Sequence, residues 1–337
     1  MEFRLIDRIH ARTAQAREDV RLGIGDDAAL LAVPDGQELA VALDTLVEGV
    51  HFPAGTAPAD IGWKALAVNL SDLAAMGAAP AWALLGLTLP VLPAEALAAR
   101  VDGLADGFAQ LAQAYGVALV GGDTTRGPFA LSVAVHGFVP PGQALRRDGA
   151  QVGDAVFVTG TLGDAAAALQ LLAAAADPAE EARRAILRAR LHRPQPRVAA
   201  GLALRRQATA CIDVSDGLLA DLSHLCAASG VAAELEVTRL PLSPALRGVV
   251  DHAQACRYAL GGGDDYELCF TVPAAQAEAV QADLLRLGCG ATRIGQIVAG
   301  AGVRARAADG TWLSTDRAGW DHFAGATAHS EEAPASP

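Results

Sequence analysis

Apolar runs of strand length alternate with segments of helical periodicity along this chain, and the alternation halts once, at Pro140, Pro141 and Gly142. A sheet covered by helices buries both kinds of apolar face, and a second unit of the same kind must begin after the break. In the first half, ELAVAL (38–43), AWALLGLTL (81–89), VALV (117–120) and FALSVAVHGFV (129–139) read as strands. DIGWKALAVNLSDLAAM (60–76) reads as a helix ended by Gly77. A second helix places Leu97, Val101, Leu104, Phe108, Leu111 and Tyr115 on one face, with Pro93 and Gly116 punctuating its ends.

The second half restarts with the strand AVFVTG and an alanine-rich helix over 162–176, followed by a basic segment containing Pro194 and Pro196. TACIDV, a helix over 217–229, AAELEV, a loop, YELCFTV (266–272), a helix to 287 and TRIGQIV complete it. The fold class expected is α/β (α+β) in two domains, residues 1–148 and 149–326, with a tail over 327–337 that reads as disordered. The first domain is a mixed sheet with two covering helices, the second an α/β sandwich. A chain of 337 residues is long enough for both cores.

Charge narrows the function. Lys and Arg number 26 against 38 Asp and Glu, a formal charge of −12, which argues against nucleic acid or an anionic membrane as partner. MEFRLIDRIHARTAQARED is charged throughout, unlike a secretory signal, and no uncharged apolar run of about 18 residues occurs. Five cysteines, an odd number without a CxxC pair, oppose a disulfide framework or a zinc knuckle. A cytoplasmic protein is expected.

GIGDDAALL (23–31) sets two aspartates in a glycine-flanked turn. Gly23, Gly25 and Ala28 fit a dinucleotide fingerprint, but no buried strand precedes them, and Asp26 and Asp27 would repel a pyrophosphate. A solvated turn is the bland reading. The feature recurs, however: Asp44, Asp123, Asp213 and Asp216, and Asp264 with Asp265 all fall in loops at strand or helix ends, where α/β folds bind ligands. Asp72 stands within an apolar helix beside Asn69 and Ser71, either as a helix-surface charge or as part of a polar island in need of partners.

If these carboxylates converge, cations must accompany them, since two at about 4 Å and an effective dielectric near 20 repel by roughly 4 kcal/mol. Magnesium suits oxygen donors and phosphates, and no HExxH or cysteine pair points to a softer metal. Magnesium on many aspartates suggests phosphoryl transfer. Neither a GxxxxGK[ST] loop nor a protein-kinase HRD or DFG set is present, so the nucleotide must be held by another architecture.

Taken together and in order, GIGDDAAL, DTLVEGVHF, KALAVNLSDLAAMGAAPAW, GGDTTRGP, HGFVP, VTGTLGD, IDVSDGL and GGGDDYELCFTVP resemble the thiamine-monophosphate kinase family, over about residues 20–323. That family belongs with aminoimidazole-ribotide and selenophosphate synthetases. The resemblance implies ATP-dependent conversion of thiamine monophosphate to thiamine diphosphate, a homodimer joined through the N-terminal domains, and an active site between the domains. Position by position it implies magnesium on Asp27, Asp44, Asp72, Asp123, Asp213 and Asp216, with Ala42 and Leu43 standing where the family offers further metal contacts. It implies ATP contacts at Gly122, Asp123, Arg147 and Ser215, and substrate contacts at His51, Asp264 and Trp320.

Two departures stand out. Ala42 and Leu43 have no side-chain oxygen, leaving only backbone carbonyls, and Asp264 stands where the family often has the longer Glu. Trp320 by itself reads more often as a domain-closing core residue. The acceptor phosphate monoester has a second pKa near 6, so it is mostly a dianion at neutral pH and no general base is expected. Among relatives, a selenophosphate synthetase would carry a reactive Cys near its start, but the first here is Cys211, and the hydrogenase-maturation relative would end in a cysteine-bearing tail rather than EEAPASP. A nucleotide or magnesium sensor keeping the fold is the alternative from another class.

Overall fold

The computed structural model of the protein describes residues 2–172 and 177–313. The first half contains α1 (Glu2–Thr13), β1 (Val20–Leu22), β2 (Leu30–Leu31), β3 (Glu38–Val47), α2 (Pro58–Ala75), β4 (Ala79–Leu89), α3 (Ala94–Tyr115), β5 (Ala118–Arg126) and β6 (Ala130–Val139). Its mixed sheet runs β3-β6-β4-β5, parallel only between β4 and β5. The separate β1–β2 pair packs Val20, Ala29 and Leu31 on Trp82 and Phe138.

Pro58 opens α2, where a missing amide proton costs nothing, and Gly77 just beyond it takes φ +62. Of its 18 residues, 14 are buried, among them Lys64, Asn69 and Ser71. Such a helix has neighbours on every side. They are the sheet, α3, and four elements of the second half, α5, α6, β8 and β10. Gly62 and Gly107 let α2 and α3 touch backbone to backbone: a Cβ on Gly62 would lie 2.0 Å from Leu104 O, and one on Gly107 1.8 Å from Ala59 O. α3 ends as expected at Gly116, in the left-handed conformation with φ +66.

The second half holds β7 (Ala155–Thr159), α4 (Asp164–Leu171), α5 (Pro178–His192), α6 (Val198–Leu204), β8 (Ala210–Val214), α7 (Leu218–Ser229), β9 (Ala232–Glu236), α8 (Pro244–Arg247), α9 (His252–Gly261), β10 (Glu267–Val272), α10 (Ala277–Arg286), β11 (Ala291–Val298), β12 (Gly302–Arg306) and β13 (Trp312–Leu313). Its sheet runs β13-β12-β9-β11-β7-β10-β8, with only β12 and β9 parallel. Both faces are covered, so β7, β8 and β10 are buried at every position. Phe157 and Phe270 stack on the side shared with α2 and α6, while Val156, Val158 and Cys269 face α4, α7 and α9.

The structure adds elements the sequence did not announce, among them α1, the β1–β2 pair, β12 and β13. The basic stretch forms α5 and α6, with Pro194 and Pro196 in the connection, where their carbonyls accept from Trp63 Nε1 and Tyr115 OH. The loop before β10 contains α8 and α9, capped by Ser243 and Asp251. The alanine-rich helix is described over Asp164–Leu171, and residues 173–176 of the expected span lie outside the described residues. The tail over 327–337 and Trp320 lie outside the described residues. No described helix is long and apolar enough to cross a membrane.

Candidate active site

A cleft of about 1390 Å³ opens between the two halves. Asp44, His51, Lys64 and Asp72 line it from one side, and Asp213, Ser215, Asp216, Asp264 and Tyr266 from the other. Its volume exceeds the range of about 300–1,000 Å³ usual for one small ligand, which leaves room for two.

Local folding explains the convergence. Asp44 lies on β3, an edge strand, and its amide donates to Asn69 Oδ1 at 2.9 Å rather than to another strand. Asn69 Nδ2 in turn donates to Ala65 O, and Ser71 Oγ to Asp213 Oδ2 at 2.7 Å. The polar island on α2 thus finds protein partners for Asn69 and Ser71. The Asp72 carboxyl has no hydrogen-bond partner among the described residues; it shares the cleft-facing stripe of Lys64 and Val68 at intervals of four. Asp213 comes from the end of β8. The turn after it is held by Asp221, whose Oδ2 accepts from the amides of Ser215, Asp216 and Gly217 at 3.0–3.1 Å.

The cluster is electrically uncompensated. Burial, then Asp213 and Asp44, push the Asp72 carboxyl up to about 8 against the pull of Arg147. Burial and Asp216 raise Asp44, and burial also raises Asp213 despite the Ser71 hydrogen bond. Asp221 is pushed up to about 7 by burial and by Asp213 and Asp216.

Each of these native carboxyls keeps its proton to higher pH than an unfolded one near 4. Between pH 4 and about 8 the native state therefore binds more protons than the unfolded state, and stability falls as pH rises. The metal-free protein is expected to melt at progressively lower temperature from pH 5 to pH 8. Asp72→Asn should flatten that slope; a wild-type melting temperature constant over the window would contradict the charge coupling.

Not every expected residue joins the cluster. Asp44, Val133, Leu85 and Gly122 stand in one row across the four strands, so Gly122 and Asp123 lie at the opposite edge, about 14 Å away at strand spacing. Gly122 takes φ +149 and presses on Leu85, where a Cβ would meet the carbonyl oxygen at 1.9 Å. Asp27 is exposed between β1 and β2, and its amide donates to Asp26 Oδ1 at 2.8 Å. Ala42 packs against the core, Leu43 is exposed, and neither lines the cleft. The charge of Arg147 reaches Asp72 and Asp213. His51 Nδ1 accepts from the Val47 amide at 3.0 Å.

Three residues that the sequence did not single out belong here: Lys64, Tyr266 and Asp221. Lys64 had a signal in its spacing of eight from Asp72, two helical turns along one stripe.

The donors are all hard oxygens, which fits magnesium, and their raised affinity for protons marks a site short of positive charge. No three His, Cys, Asp or Glu side chains among the described residues already form a metal cage.

Residues 25–139 match the family described as AIR synthase related protein, N-terminal domain, and residues 151–308 its C-terminal domain. Thiamine-monophosphate kinase of Salmonella typhimurium is 49% identical over 323 residues, 96% of this chain and 98% of the relative. The crystal structure of thiamine-monophosphate kinase from Stenotrophomonas maltophilia superposes with a TM-score of 0.82 at 53% identity, covering 91% of this chain and 96% of that one. AaThiL complexed with AMPPCP and TMP superposes with a TM-score of 0.72 at 33% identity, covering 96% and 97%.

Proposed function

The chain belongs to the thiamine-monophosphate kinase family within the AIR synthase related proteins, and on that premise we propose that it phosphorylates thiamine monophosphate with ATP, giving thiamine diphosphate and ADP. The observation that carries this reading is the meeting of Asp44 and Asp72 with Asp213 and Asp216 in a cleft roomy enough for both reactants.

The γ-phosphoryl group passes directly and in line to a phosphate oxygen of the acceptor, already a dianion near neutral pH, as its bond to the β–γ bridging oxygen breaks and that oxygen leaves on ADP. No side chain has to remove a proton. Asp44, Asp72, Asp213 and Asp216 would hold magnesium. When bound, magnesium supplies the positive charge that lets two polyanions approach. Its addition at pH 8 should therefore restore the melting temperature lost to carboxylate repulsion. Ser215 and Asp264 face the cleft, and we assign Ser215 with Arg147 to ATP and Asp264 with His51 to the acceptor. Gly122 (ATP), Asp123 (ATP and metal), Asp27 (metal) and Trp320 (acceptor) rest on their motifs alone. For Asp123, an assay of Asp123→Asn reads the assignment as a loss of turnover.

We also infer a homodimer through the outer face of the first sheet, where Leu39, Val41 and Leu43 are 42%, 59% and 61% exposed. Apolar side chains in a row on a sheet favour a partner surface, and sedimentation at micromolar concentration tests it. A domain boundary at 148/149 and a cytoplasmic location complete the reading. All five cysteines are unpaired, as a reducing compartment requires, and cell fractionation tests the location.

The deciding experiment is ADP release with magnesium and ATP, offering thiamine monophosphate and free thiamine in parallel, with products separated by chromatography. Thiamine diphosphate formed only from the monophosphate is the expected result. Turnover of free thiamine at a comparable rate would require a group that removes the hydroxyl proton, a role this reading assigns to no side chain, and no turnover with either would overturn the reading.

A further inference from the structure

Lys64 is a cation enclosed in an apolar helix, only 3% exposed. Its Nζ lies 2.9 Å from Asp264 Oδ1 and donates to His51 O at 3.1 Å. These partners belong to separate parts of the chain: His51 follows β3 in the first half, while Asp264 follows α9 in the second. One ammonium thus ties both walls of the cleft together.

The carboxylate it holds is fixed from a second direction. Tyr266 OH donates to the same Oδ1 at 3.0 Å, while Oδ2 has no protein hydrogen-bond partner among the described residues. Asp264 and Tyr266 take φ +68 and +49, a region that residues with side chains rarely adopt. Such a backbone persists only where its surroundings hold it. The preceding glycines are wedged: a Cβ on Gly262 would meet Ala166 Cβ at 2.4 Å, and one on Gly263 would meet Ser215 O at 2.4 Å. A short side chain on a tightly held loop reaches only where that loop points it.

We propose that Lys64 is the positioning residue for the acceptor-side carboxylate: by pinning Asp264 Oδ1 from across the cleft, it turns Oδ2 toward an N–H donor on the heterocyclic part of the acceptor. The inference rests on the functional reading above and deepens it. The compact ammonium reaches two acceptors from a nearly closed position, which a planar guanidinium, larger and forked, does not reproduce. Lys64 acts through Asp264, so its loss weakens acceptor binding and leaves the transfer step and ATP binding in place.

Steady-state kinetics of Lys64→Met, Lys64→Arg, Tyr266→Phe, Asp264→Asn and the Lys64→Met/Asp264→Asn pair test this against wild type. Lys64→Met should raise KM for thiamine monophosphate by about tenfold or more, with kcat and the KM for ATP changed by less than about threefold. Lys64→Arg should recover part of that loss. In the Asp264→Asn background, Lys64→Met should add less than about twofold, because the group it positions is already altered. A loss confined to kcat, a raised KM for ATP, or full additivity in the pair would overturn the proposal. If Lys64→Met does not fold, Tyr266→Phe, which removes the other donor to the same oxygen, must raise the acceptor KM alone, and an unchanged KM there overturns it. Wild-type protein that releases no ADP with thiamine monophosphate would overturn the functional reading itself. Active wild type with an unaltered Lys64→Met overturns only the positioning role.

Discussion

Replacing Asp72 with Asn is expected to lower kcat by on the order of 10³-fold and, in the same preparation, to raise the melting temperature of the metal-free protein. The two effects have one origin. Asp72 is pressed by its neighbours, pushed up to about 8 by burial, Asp213 and Asp44. An amide of nearly the same shape removes that repulsion without opening a cavity, since the native fold no longer has to hold a carboxylate that the unfolded chain ionises freely. The same change removes a hard anionic oxygen from the place where charge must be neutralised for two polyanions to meet. Activity and stability therefore move in opposite directions, as they do where a site is kept under strain for its chemistry. Coupled ADP release and thermal denaturation at pH 8 check both. Turnover within about tenfold of wild type would return Asp72 to the reading of a mere helix charge, and a variant that fails to fold would show that the carboxylate holds α2 in place.

What the sequence made legible follows physical range. The ends of α3 were readable because Pro93 and Gly116 act on their own backbone, and Gly116 does adopt the left-handed conformation its position demanded. β3, β4 and β6 to β11 were readable because alternation and apolar runs report burial directly, whereas β12 and β13, short and largely exposed, were not. α5 and α6 were not, since Pro194 and Pro196 lie between them and their charged residues look like a solvated stretch. Arg190 and Arg197 are in fact drawn inward by Glu267, a partner some 70 residues away. α9 did carry its signal in Asp251, which caps it, but an aspartate in a loop has many other uses.

The site divides along the same line. Motifs named Asp44, Asp72, Asp213 and Asp216, and the fold brings all four to one cleft. Motifs also named Asp123, but a motif encodes no distance, and the sheet places it three strands from Asp44. Lys64 and Asp221 escaped because a single charge in an apolar helix acquires its meaning only from the element packed against it. For Lys64 that element is the Asp264 loop, and for Asp221 the turn behind β8. Family resemblance supplied roles for matching positions and was silent on the residues that hold them.

Glu267 gives the largest expected effect on stability: its replacement with Ala should cost about 3–5 kcal/mol of unfolding free energy. The residue is wholly buried at the start of β10. Oε1 accepts from Arg190 and Arg197 at 2.5 and 2.6 Å, and Oε2 from Arg197 Nε at 2.6 Å and Thr159 Oγ1 at 2.7 Å. Alanine would leave two guanidinium groups facing a void beside Gly160, where not even a Cβ fits in the present arrangement. Burial disfavours a charged Arg197, and Glu267 more than offsets that cost, holding its proton affinity above the ordinary value. An exposed pair such as Arg146–Asp148 offers no comparison, because water replaces either partner when the other is lost. Glu267→Gln keeps the volume and should fall between wild type and Ala, since one amide oxygen still accepts while the charge is gone. Urea denaturation at constant pH reads all three proteins. A loss below about 1 kcal/mol for Ala would mean that both arginines swing out to solvent at little cost. Because Tyr266 precedes Glu267 directly and fixes Asp264, partial disorder at this buried cluster should also appear as a raised acceptor KM well below the melting temperature. Glu267→Gln, with its cluster still packed, should show that rise to a smaller degree.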